Sequence, residues 1–77
     1  MNDMFGKEIK EGSILVRPII SFGGSFMGNF RYEVKNGRAV LIDNDGLDEI
    51  YDNGSRFDLD EKLCKESAVD EESPKEL

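Results

Sequence analysis

The chain contains no histidine and no tryptophan, a single cysteine (Cys64) and two prolines (Pro18 and Pro74). Without histidine it lacks the side chain that most readily moves protons near neutral pH, and the commonest nitrogen ligand for zinc. One cysteine cannot cross-link the chain to itself, which excludes a small scaffold built on internal disulfides. Long apolar runs are missing too. Ile14-Leu15-Val16 is cut off by Arg17 and Pro18, far short of the ~20 apolar residues a spanning helix needs. Residues 1–8 are polar and mixed in charge, unlike a secretory leader. The expectation is a cytoplasmic protein.

What is present is a charge divided along the chain. Residues 1–42 carry six basic side chains (Lys7, Lys10, Arg17, Arg31, Lys35, Arg38) against four acids, a net of +2. Residues 43–77 carry thirteen acids against four bases (Arg56, Lys62, Lys65, Lys75), a net of −9. The total of −7 is therefore concentrated in one half, which suits a surface that meets a positively charged partner. Seventy-seven residues, 38% hydrophobic and 35% charged, allow one small domain, here residues 1–65, followed by an acidic disordered tail over 66–77.

Local pattern points to β structure. In 30–35, Phe30, Tyr32 and Val34 alternate with Arg31, Glu33 and Lys35, one apolar face and one charged face. Asn36-Gly37 follows, a pair suited to positive φ at both centres of a type I′ turn, and 38–42 returns as the partner strand. The β-branched segment 14–20 reads as a further strand, with Pro18 at an edge or a bulge because it has no amide hydrogen to donate. Asn44-Asp45-Gly46 and Asp52-Asn53-Gly54 are turn signals that separate short strands at 47–51 and 56–59. Asp58 and Glu61 have capping-box spacing, with Leu59 and Leu63 on one face of a short helix. The fold class expected is mainly β: a small SH3-like barrel or curled antiparallel sheet of four to five strands.

The candidate chemistry is sparse. The acids of 43–61 do not match a calcium loop, since counting back from Gly46 puts Leu41 at the first ligand position and counting back from Gly54 puts Tyr51 at the third. No pair of carboxylates is set apart for glycosidase work, and a chain this small has little room for a cleft. The segment 21–29 interleaves Gly23, Gly24 and Gly28 with Phe22, Phe26 and Met27 but lacks the Gly-Lys-Ser/Thr ending of a phosphate loop. Its aromatics either fold inward as core or stand out as a contact loop. Phe30 and Tyr32, with Arg17, Arg31, Lys35 and Arg38 beside them, offer a stacking platform for a single strand, against which stands the repulsive field of the acidic half. Cys64 has no histidine to activate it and reads as small filler beside Leu63 or as an exposed thiol. No catalytic, metal or cofactor role is expected, so the protein reads as a non-enzyme.

The opening Met4-Phe-Gly-Lys-Glu-Ile-Lys-Glu-Gly-Ser-Ile-Leu-Val-Arg-Pro18 resembles the start of small bacteriophage-encoded proteins with an FGKxIKxG-type phrase and SH3-like or KOW-like barrels. The resemblance covers about a fifth of the chain and carries no functional residues. Ser13 stands where an Asp often follows the glycine, and the Gly/Phe loop and acidic tail lie outside the phrase. It implies a phage origin and a small barrel, and small acidic phage proteins often bind and block a host protein.

The expected function is thus a non-enzymatic binding module that occupies a basic surface of a host protein, one that handles nucleic acid, by imitating DNA. Asp43, Asp45, Asp48, Glu49 and Asp52 would steer the encounter, and Phe22, Phe26 and Met27 would anchor it. The alternatives are an assembly accessory protein that self-associates through a sheet edge near Pro18, and a small barrel that binds single-stranded nucleic acid.

Overall fold

The alternating segment of the sequence becomes the central strand. The computed structural model describes residues 1–47 and 51–70 of the chain, and its elements run β1 (Ile14–Ile20), β2 (Phe26–Lys35), β3 (Arg38–Asp43), β4 (Arg56–Asp58), α1 (Glu61–Lys65) and β5 (Ala68–Val69). In β2 the inward set Phe30, Tyr32 and Val34 is buried, while Arg31 and Glu33 between them stay half-buried on the other face. The turn to β3 has positive φ at both Asn36 (53°) and Gly37 (76°), the geometry whose twist matches the flanking strands.

All strand pairs are antiparallel, and the order across the sheet is β4-β3-β2-β1-β5. The expected class, a mainly β fold with a small curled sheet, is what forms. The sheet is not closed into a barrel, because β4 and β5 sit at its two opposite edges. The link β4–α1–β5 joins those edges and brings Leu63 and Cys64 of α1 into the core with Leu15, Phe30, Tyr32, Val34, Ala39 and Leu41. Each Leu or Phe buried this way contributes roughly 1.5–3 kcal/mol. Edge-to-face ring contacts join Phe30 to Tyr32, Tyr32 to Phe57, Phe57 to Tyr51 and Tyr51 back to Phe30, with centroids 5.1–6.2 Å apart.

Pro18 lies on β1 where an edge was expected. Val34 N–H donates to the Ser13 carbonyl and Asp70 N–H to the Ile14 carbonyl, so odd-numbered residues of β1 bond toward β2 and even-numbered ones toward β5. Since β5 reaches only Leu15 and Val16, the ring of Pro18 occupies the open side and costs no ladder bond. A bulge lies just beyond, where Ile19 pairs with Gly28 but Ile20 pairs with Phe26.

Several expectations are corrected. Residues 66–70, expected to begin a disordered tail, are packed: Ser67 is fully buried, its Oγ donates to the Leu63 carbonyl at 2.8 Å, and Ala68–Val69 pairs with β1. Residues 71–77 lie outside the described residues. The helix is capped by Asp60, whose Oδ1 accepts from Leu63 N–H at 2.9 Å, and not by Asp58, which ends β4. Leu59 accordingly precedes the helix. Leu47 and Tyr51 are not in a strand, and 48–50, the middle of that expected element, lies outside the described residues.

The amino-terminal segment is held by one carboxylate. Asp3 is buried, and its Oδ1 accepts from Phe5 N–H and Lys7 N–H while Oδ2 accepts from Val69 N–H, all at 2.8 Å. Met4 N–H adds a bond to the Ser67 carbonyl. The start of the chain is thereby fastened to β5.

Candidate functional site

The hairpin between β1 and β2 is built to stand out. Ser21 N–H donates to the Ser25 carbonyl at 2.7 Å, and Ser25 N–H to Ser21 Oγ at 3.0 Å, so the loop satisfies its own backbone. On the other flank, β3 ends at Asp43 opposite Arg31, five residues short of Phe26. Among the described residues, therefore, no third strand lies beside 26–29, and of these four only Gly28 is buried. Phe22 is fully exposed, Phe26 is 61% exposed and Met27 44%. Of the two readings of these side chains, inward packing fails for this reason. Ile20, 55% exposed and paired with Phe26, completes a four-residue apolar end that sequence reasoning had assigned to strand alone. Its place opposite Phe26 depends on the bulge, for which the sequence carries no signal beyond glycine at 28.

The acidic turn is clamped to this hairpin. Asp43 Oδ1 accepts from Asp45 N–H at 2.9 Å, and Asp45, at φ 55°, directs its Oδ2 to the Asn29 N–H at 3.1 Å. The approach needs glycine at 28: a Cβ there would lie 2.7 Å from the same Oδ2. Asn44, buried, sustains the turn by donating from Nδ2 to the Tyr51 carbonyl at 2.8 Å. Two anionic side chains and the apolar residues Phe26 and Met27 thus share one end of the molecule. Asp52 is exposed in the following turn, where its carbonyl accepts from Ser55 N–H. Asp48 and Glu49 lie outside the described residues.

The stacking platform does not form. Phe30 and Tyr32 are 1% and 0% exposed and belong to the core. Their basic companions are matched with acids: Arg17 with Glu66 at 3.8 Å, Arg31 with Asp70 at 2.7 Å, Lys35 with Glu33 at 3.7 Å and Arg38 with Asp58 at 4.0 Å. Arg17 also donates to Tyr32 Oη at 3.4 Å, and burial raises the Tyr32 pKa against the opposing effect of that guanidinium, so the phenol stays protonated. Among the described residues, each of the four cations expected to form the basic stripe has an acidic partner.

Elsewhere, Cys64 is buried and its thiol pKa is raised by burial. Its Sγ lies 3.6 Å from Met1 Sδ. Among the described residues no three His, Cys, Asp or Glu side chains gather closely enough to hold a metal. A recess of about 520 Å³ between β1, β4 and α1 is lined by Arg17, Lys62, Asp58, Asp60 and Glu66 with Tyr51 and Phe57, and its opposite charges largely offset one another. Among the described residues no helix is long and apolar enough to cross a membrane.

No family model matches this chain, and no curated protein or solved structure matches it either.

Proposed function

We propose that this protein is a non-enzymatic acidic binding module that attaches to a basic surface of another protein. The observation that carries the reading is the Asp45–Asn29 clamp. It sets an anionic turn beside an exposed apolar hairpin, the combination of charge steering and aromatic anchoring that protein interfaces use. Phe22, Phe26 and Met27 supply the anchor, while Asp43, Asp45 and Asp52 supply the field.

The finer form of the proposal rests on the resemblance of the opening phrase and on the −9 net charge of residues 43–77. In that form the protein is a phage-type inhibitor, working in the host cytoplasm, that blocks a nucleic-acid-handling protein by standing in for DNA. The test is capture from bacterial lysate on the immobilised protein at low and high salt. A basic protein should be retained at low salt, released at high salt and displaced by duplex DNA. Phe22→Ser with Phe26→Ser should abolish retention, and Asp43→Asn with Asp52→Asn should weaken it. Retention that ignores both pairs of substitutions, or no retention at all, refutes the reading. Sedimentation of a stable oligomer that captures nothing would favour an assembly role instead.

A further inference from the structure

We infer that the free edge of β4 pairs with the same edge of a second copy of this chain, joining two sheets across a two-fold axis. The register decides which backbone groups are available. Leu41 N–H donates to the Ser55 carbonyl, and Ala39 faces Phe57. By antiparallel alternation, Phe57 bonds inward to β3 while the N–H and C=O of Arg56 and Asp58 point outward. Among the described residues the sheet order places no strand on that side.

The three residues are self-complementary. An antiparallel pairing centred on Phe57 sets Arg56 opposite Asp58 of the second copy, and Asp58 opposite its Arg56. Each of these two pairs exchanges both backbone bonds and joins opposite charges, which favours the register. Both side chains are exposed, and Arg56 has no ion pair among the described residues. The contact between Asp58 and Arg38, at 4.0 Å between exposed groups, gives up little when it is released. On the inner face the two Phe57 rings meet at the axis, next to Tyr51, which is 44% exposed and 5.1 Å from Phe57. The opposite edge offers less: β5 covers β1 only at Leu15 and Val16, and beyond them Pro18 removes a donor. Closed isologous contact of this kind uses one patch on both copies and ends at two.

This pairing is independent of the hairpin and its partner. Sedimentation equilibrium of the full chain over a range of concentrations should show the mass rising from one chain toward two. Arg56→Asp alone and Asp58→Arg alone each place like charges opposite one another twice. Each should weaken the dimer by roughly tenfold or more. The exchanged variant carrying both substitutions restores opposite charges and should recover the dimer. In parallel, hydrogen exchange at the Arg56 and Asp58 amides should slow as concentration rises. A chain that stays monomeric at about millimolar concentration, an exchanged variant no better than the single ones, or a dimer whose Arg56 and Asp58 amides exchange freely, each overturns the inference.

Discussion

Replacing Asp3 tests how the two ends of the domain hold each other. The carboxylate is buried and accepts three backbone N–H bonds at 2.8 Å, two within its own loop and one from Val69. Burial alone would raise its pKa, but the bonds from Val69, Lys7 and Phe5, with the nearby Lys7 charge, together outweigh that and hold it below its ordinary value. A hydrogen bond to a charged group contributes roughly 1.5–3 kcal/mol net. In Asp3→Ala the Phe5 and Lys7 amides regain water on an exposed loop, while the half-buried Val69 amide loses its carboxylate acceptor. The summed loss is about 3 kcal/mol, set against a total stability of roughly 4–11 kcal/mol for a chain of this length. Urea unfolding at neutral pH should show it as a fall of about 2–3 M in midpoint with little change in slope. Asp3→Asn should lose nearly as much, because its amide turns a donor toward a donor.

The pH dependence has a fixed sign. A carboxyl whose folded pKa is lowered contributes stability that is complete above its unfolded value, about 3.9, and is lost as pH falls through the folded one. The gap between native protein and Asp3→Asn should therefore be widest above about pH 5 and shrink toward pH 2. A loss below about 0.5 kcal/mol, or a gap that does not change on acidification, would refute the account of Asp3 as a charged clamp.

Two further perturbations separate packing from charge. Gly28→Ala drives a methyl group to 2.7 Å from Asp45 Oδ2 and should cost about 1–3 kcal/mol; adding Asp45→Gly, whose backbone suits the φ of 55°, should recover part of that loss in a double-mutant cycle read by thermal unfolding. The Cys64 thiol, buried and with its pKa raised, should resist a disulfide reagent in the folded protein at mildly alkaline pH and react promptly once urea unfolds it.

The strands were legible where the signal was local. Alternation over 30–35 and the Asn36-Gly37 pair identify a hairpin from adjacent residues alone, and 14–20 declares itself through β-branching. Packing of 66–70 was hidden because its reasons are remote: Ala68-Val69 is too short an apolar pair, set among polar and charged residues, to signal a strand, yet Val69 bonds to Asp3, 66 positions earlier. The cap is a different case. Asp58 and Asp60 both have the right chemistry, and only the extension of β4 through Asp58 decides between them.

The candidate site was legible in part. Aromatic residues among glycines mark 21–29 as unusual, but whether they turn in or out depends on where β3 stops, a matter of register. The same holds for Phe30 and Tyr32, whose alternation reveals two faces without saying which is covered. That Asp45 reaches Asn29 could not be read from spacing, since the clamp joins a turn to a strand sixteen residues away.

The bond from Asp3 to Val69 also bears on how the molecule is made. As a chain emerges from the ribosome, the β2–β3 hairpin has its partner beside it and is free to form at once. Asp3, made 66 positions before Val69, must wait for β5 before its Oδ2 is satisfied. Until β5 is made, the segment around Asp3 has local bonds such as those from Phe5 and Lys7 to hold it, and its attachment to the sheet comes last.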